Sequence, residues 1–176
     1  KLASFASAPL NLLAYRDYTG MLLEDFFKRE YHLNFLERGF PVGFEDTREW
    51  LLEVGEFFGK TTIANRIIEA QKEIYFSRME KVRPILQGKK LMIVTYNHEI
   101  DWIIEAAMDA EMEIVKIGIL NFSQDEGFRT RLNLETEVEE NYNRDRLNQD
   151  VAMYQPDIFL SNYSSSMENK ELLQDT

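Results

Sequence analysis

The sequence predicts an α/β protein built on a Rossmann-like parallel sheet with crossover helices. Short apolar runs stand at residues 91–95, after Gly88 and two lysines, at 113–121 and at 157–163. Segments of helical periodicity, 99–111 and 144–154, lie between them. Strand and helix in alternation are what a parallel sheet needs, because parallel neighbours cannot be joined by a tight turn.

Before this unit the pattern is more helical. Residues 1–9 read as a lead-in and 10–15 as a short buried strand. Residues 19–29 sort Met21, Leu22 and Phe26 from Asp25 and Arg29, which predicts a helix. A second short strand is expected at 32–36, and the Gly39-Phe40-Pro41-Val42-Gly43 stretch is a loop. Asp46-Thr47-Arg48-Glu49 has the spacing of a capping box and predicts a helix start. Trp50, Leu51, Val54, Phe57 and Phe58 form its apolar stripe, and Gly59 suits its C′ position. Thr61 or Thr62 caps the next helix. That helix carries Ile63, Ile67, Ala70 and Ile74 on one stripe to about Met79, and Pro84 is expected to stop or kink the chain beyond it.

Inside the sheet unit, Ile100, Ile103, Ile104, Ala107 and Met108 recur at helical spacing and read as a sheet-facing stripe. Residues 125–141 read as a charged loop. Glu135, Glu137, Glu139 and Glu140 lie close together there; such carboxylates suit a hard cation, but a solvated acidic face is the plainer reading. Pro156 separates the 144–154 helix from the last strand.

Composition excludes several classes of function. The chain has 176 residues, enough for about one domain. With 20 basic and 31 acidic residues its net charge is −11, which opposes non-specific binding to nucleic acid or to an anionic membrane. It has no cysteine, so it offers no disulfide and no thiolate to zinc or iron–sulfur clusters. No signal peptide and no apolar run of about 18 residues is present, so a cytoplasmic protein is expected. The first residue is Lys, and 172–176 come after a strand without a closing element, the pattern expected of a piece of a longer protein.

Motifs for chemistry are few. Gly59-Lys60-Thr61 matches the end of a phosphate-binding loop, but Val54 stands where the loop needs its first Gly, and it lies within a predicted helix. No Gly-x-Gly-x-x-Gly follows the 91–95 strand. The turn after that strand, Tyr96-Asn97-His98-Glu99, occupies the edge where open parallel sheets bind ligands. His98 is a ligand, a proton donor or a plain helix-start residue; Asn97 lines the site or caps the helix. Asn162-Tyr163-Ser164-Ser165-Ser166 ends the third strand on the same edge, so its hydroxyls can converge with His98. The Asn-x-Ser patterns at Asn121 and Asn162 bear glycans only in a secreted protein. With two histidines, His32 and His98, and no Ser/His/Asp order, neither a triad nor a metal site is expected.

Several segments, in order and spacing, resemble the component 1 family of nitrogenases and nitrogenase-like reductases. They are Leu10-Asn11-Leu12-Leu13-Ala14-Tyr15-Arg16, Pro41-Val42-Gly43, Leu86-Gln87-Gly88-Lys89-Lys90-Leu91-Met92-Ile93, Asp109-Ala110-Glu111-Met112-Glu113-Ile114-Val115 and Pro156-Asp157-Ile158-Phe159. The resemblance covers about residues 10–163. It implies repeated Rossmann-like domains, with 1–45 the tail of one, 46–87 linking helices and 88–176 the truncated start of the next. It also implies a homologous component 1 partner subunit, an ATP-dependent iron–sulfur reductase that supplies electrons, and a pocket lined by Tyr15, Arg16, Tyr96, Asn97 and His98.

The departures from that pattern bear on the substrate. The family's catalytic nitrogenase subunit has, before the equivalent of Tyr15-Arg16, a cysteine that holds the metal cofactor. Ala14 stands there, and a methyl group cannot ligate iron. Tyr96, Asn97 and Glu99 replace a glycine-rich turn and an arginine, which is unfavourable for an anionic cluster. The resemblance thus implies an electron-transfer oxidoreductase acting on a substrate other than dinitrogen. No cofactor is expected in this chain, and an iron–sulfur cluster of the parent would be ligated by residues outside it. The alternative is a non-catalytic subunit that keeps the fold for small-molecule binding or as a scaffold.

Overall fold

The computed structural model describes residues 7–14, 18–97, 99–120 and 128–162. The chain divides into two compact units, Lys1–Tyr75 and Phe76–Thr176.

In the first unit α1 (Tyr18–Tyr31), α2 (Phe44–Phe57) and the start of α3 (Thr61–Leu86) are the regular elements. The strands expected at 10–15 and 32–36 reduce to one parallel bridge, Asn11 to Phe35. Local bonds explain why. Asn11 donates from its N–H and its side chain to the Asn34 carbonyl, and its own carbonyl accepts from Leu36. His32, at φ 52°, breaks the extended conformation just before. Helix α2 starts two residues ahead of the expected cap. Gly43, at φ 88°, takes the N-cap position. Asp46, now in the first turn, accepts from the Val42 N–H at 3.0 Å. Glu49 joins Asp46 and Glu53 around the Arg38 guanidinium rather than reaching back to a cap. Gly59 is the expected C′ residue: it has φ 62°, Lys60 N–H bonds the Gly55 carbonyl and Gly59 N–H bonds that of Glu56, a Schellman motif.

Pro84 does not end α3, which continues to Leu86. The missing N–H leaves only the Glu80 carbonyl without its helical donor, and Glu80 is exposed to water. The stripe Ile63, Ile67 and Ile74 stays largely exposed, and the buried residues of α3 are offset by one position, Ala64 and Ile68.

The second unit is a four-stranded sheet in the order β3-β2-β1-β4, every pair parallel. The strands are β1 (Lys90–Thr95), β2 (Glu113–Ile119), β3 (Val138–Glu140) and β4 (Ile158–Ser161). Helix α4 (Asp101–Asp109) links β1 to β2, and a 3-10 turn (Arg144–Arg146) with α5 (Leu147–Tyr154) links β3 to β4. Strand β3 corrects the expected 125–141 loop. It is a three-residue edge strand, two of its residues glutamates, so it carries no apolar run to announce it.

Alternation along β1 feeds two cores. Leu91 and Ile93 pack with Ile117 and Ile119 of β2 against Ile100, Ile104 and Ala107. Met92 and Val94 pack on the opposite face with Leu120, Tyr142 and Leu147. Such burial on both faces is what makes parallel strands near-continuously apolar. Asp157 fastens the start of β4 to β1, accepting from Lys89 Nζ at 2.8 Å and the Lys90 N–H at 2.9 Å. Among the described residues no helix is long and apolar enough to cross a membrane.

Candidate functional site

The sheet order places β1 at a switch point. The chain runs from β1 to β2 to β3 on one side, then crosses to β4 on the other. In such sheets the loops at the carboxyl ends part there and leave room for a ligand.

The turn after β1 is held by its own short side chains. Buried Thr95 accepts from the Asn97 N–H through Oγ1 at 3.0 Å, and Asn97 Oδ1 accepts from the Glu99 N–H at 3.0 Å. Asn97 therefore shapes the turn; the N-cap of α4 is Ile100, without a side-chain cap. Across the switch point Asn162 Oδ1 accepts from the Tyr96 N–H at 3.0 Å, which ties the ends of β1 and β4. Of the residues expected to line a pocket, Tyr96 is half-buried and Asn97 exposed, and they are neighbours on this edge. Tyr15, Arg16 and His98 lie outside the described residues, as do Tyr163 and Ser164–Ser166.

A cleft of about 320 Å³ opens on the β2 side of the same edge, lined by Tyr96, Leu120, Asn141, Tyr142, Asn143 and Arg144. Its rear wall is tightly built. The Tyr142 ring lies directly on Gly118, where a Cβ would stand 2.7 Å from ring carbon Cγ. The Tyr142 hydroxyl donates to buried Asp150 at 2.8 Å. Burial, then that hydrogen bond and the Asp150 charge, push the phenol well above its ordinary pKa. Arg146 binds Asp150 and Glu139, and Glu139 also pairs with the buried ammonium of Lys116. Glu140 accepts from the Phe128 N–H. Two of the four clustered glutamates are thus engaged in structural bonds. Sequence reasoning missed the cleft residues 141–144 because it missed β3: once 138–140 is a strand, the residues after it must sit on the carboxyl edge.

The described residues bring no metal-ligating set together. The chain has no cysteine, Ala14 offers only a methyl group, and no cluster of three metal-ligating side chains exists among the described residues.

Parallel strands, crossover helices on both faces and a switch point define a Rossmann-like α/β protein. The chain belongs to the nitrogenase component 1 type oxidoreductase family, whose model matches residues 1–174. It is 26% identical over 149 residues to the nitrogenase molybdenum-iron protein alpha chain of Methanothermobacter thermautotrophicus, covering 82% of this chain and 30% of that one. The corresponding protein of Methanothermobacter marburgensis is 25% identical over 150 residues, with the same coverage. The chain thus spans under a third of the length of these relatives. A nitrogenase Cp1 structure at pH 5 superposes with a TM-score of 0.70 at 12% identity, covering 97% of this chain and 40% of that chain. A second, at pH 6.5, gives a TM-score of 0.64 at 17% identity, covering 96% and 37%. At these identities the structural likeness concerns the fold alone.

Proposed function

We propose that this chain is part of a nitrogenase-like component 1 oxidoreductase subunit. On this reading the subunit pairs with a homologous component 1 subunit in the cytoplasm and engages neither nucleic acid nor membrane. It receives electrons from an ATP-dependent iron–sulfur reductase and passes them to a substrate other than dinitrogen. The family match over residues 1–174 supports the reductase frame. The observation that carries the substrate reading is Ala14, which stands where the resemblance implies a cofactor cysteine and whose methyl group cannot ligate iron. Any cluster is then held by residues outside this chain. Tyr96 and Asn97, on the switch-point edge, contribute to a substrate or cofactor pocket together with Tyr15, Arg16 and His98.

The test is electron transfer to the full-length protein from its reductase, followed by electron paramagnetic resonance with and without ATP. An ATP-dependent signal change in the component 1 subunit is the expected result. No change, with an active reductase present, contradicts the proposal. Ala14 also favours a second reading, a subunit that keeps the fold to bind a small molecule or to scaffold a partner, and that outcome would support it.

A further inference from the structure

We propose that the exposed stripe Ile63, Ile67, Ala70 and Ile74 of α3 packs antiparallel against the same stripe of a second copy of this chain, with Arg66 of each copy beside Glu73 of the other. The inference does not rest on the reductase reading.

The stripe itself is the first argument. Ile63, Ile67 and Ile74 are 45%, 42% and 44% exposed, and Ala70 is exposed between them. Their spacing of four, three and four residues is that of a seam along which two helices pack. It is not the side of α3 that the fold uses. Ala64 and Ile68 are buried, and the Ala64 methyl is the nearest neighbour of Gly55 in α2. The seam lies roughly a third of a turn around the helix from those two residues. Single exposed isoleucines are common on protein surfaces, whereas a seam of them marks a contact.

Charge decides the occupant. Arg66 and Glu73 flank the seam on one edge, both exposed, and neither side chain has an ion pair or hydrogen bond among the described residues. In an antiparallel pair Ile63 sits opposite Ile74 and Ile67 opposite Ala70, which makes four apolar layers about a two-fold axis. Arg66 of one copy then lies within about 3 Å, measured along the helix, of the level of Glu73 of the other, and the axis repeats the pair. The other edge sets Ala64 against Gln71 and opposes no like charges. A parallel pair uses the charges less well: Glu73 would meet Arg78, but Arg66 would meet Gln71. Residues 63–74 hold two basic and two acidic side chains, so two copies meet here without net local repulsion although the chain carries −11.

The two kinds of contact divide the work. Exposed ion pairs add little affinity, so the apolar layers supply the attraction and the Arg66–Glu73 pairs select partner and direction. The seam spans about 16 Å of helix, which makes a reversible dimer rather than an obligate one.

Cysteine cross-linking of the full-length protein tests this, because residues 1–176 contain no cysteine to compete. Chains with Ile63→Cys and chains with Ile74→Cys are mixed in equal amounts, oxidised mildly and mapped by peptide mass. The expected product is the mixed disulfide between positions 63 and 74. Same-position disulfides should stay at background, since in the antiparallel pair like positions lie about 16 Å apart along the axis. Ile67→Glu in both chains places a charge in the central layers and should lower the mixed product at least about tenfold, with circular dichroism unchanged at so exposed a position. Arg66→Glu in both should lower it roughly three- to tenfold, and adding Glu73→Arg should restore it. No mixed disulfide, or same-position disulfides in its place, overturns the proposal. So does a mixed product that survives Ile67→Glu or is not rescued by the charge exchange.

Discussion

The two units of the chain bury their apolar residues very differently. In the sheet unit Met92, Ile93, Val94, Ile100, Ile104, Ile117 and Ile119 are all at 0% exposure, because strands pack side chains on two faces at once. Among the described apolar residues of the helical unit only Leu36 comes close, at 2%, while Met21, Leu22, Leu23, Phe26, Phe57 and Phe58 remain exposed. Helix α1 even inverts the usual pattern: its one buried residue is Glu24. Period-two alternation between two covering layers closes a core within a short length of chain. Helices with apolar residues all round do not, and they gain less from folding alone. The sheet unit should therefore be the more stable of the two by local measures such as amide exchange.

The largest effects should come from matched truncations of the two cores. Ile93→Ala should cost about 2–5 kcal/mol in urea unfolding followed through the sheet unit. Leu36→Ala should cost less and should lower protection only within residues 7–75. Equal losses would erase the contrast between the units.

Next in size are two glycines at close approaches. Gly118→Ala puts a methyl group into the pinned Tyr142 ring and should cost about 1–3 kcal/mol. At Gly55 the added Cβ meets the Ala64 methyl at 2.8 Å, with the Thr61 Cα at 3.4 Å and the Lys60 carbonyl oxygen at 3.5 Å, a less crowded approach than the three Tyr142 carbons within 3.2 Å at Gly118. A smaller loss is expected from Gly55→Ala. If Gly118→Ala is harmless, the tyrosine wall is not rigid.

The smallest effects are in pH dependence, and they belong to the sheet unit. Tyr142 has a raised folded pKa, so its contribution is complete below the ordinary phenol value of about 10 and is lost as pH rises through the folded one. Tyr142→Phe should flatten the alkaline fall in stability. Asp157 has a lowered pKa, first because Lys89 donates to it, then through the Lys90 N–H. Its contribution is present above the ordinary carboxylate range and lost as pH falls through the folded value. Asp157→Asn should therefore weaken the acid dependence. Stability profiles against pH read both; unchanged slopes would contradict the assignments.

Legibility in the sequence divides along the same line. Apolar runs and the 99–111 stripe announced β1, β2, β4 and α4, since burial on both faces leaves an unmistakable pattern. Strand β3 was hidden because an edge strand is paired on one side only and tolerates Glu139 and Glu140. Residues 10–15 and 32–36 looked like strands because they are apolar, yet local bonds around Asn11 satisfied the backbone without a ladder. At the site, the turn after β1 was found from topology, whereas the cleft residues 141–144 were reachable only through β3. The family was legible from ordered short segments rather than from any one motif. Nothing in the spacing names a substrate.

The chain belongs to the component 1 type oxidoreductase family, and the proposal built on that membership is a redox subunit whose iron–sulfur centre is ligated by residues outside this chain. Iron and acid-labile sulfide analysis of the full-length protein, purified without oxygen and with its natural partners, tests it most directly. Stoichiometric iron and sulfide is the predicted result. Neither iron nor sulfide in folded, partnered protein would contradict the reductase role and leave a binding or scaffold subunit.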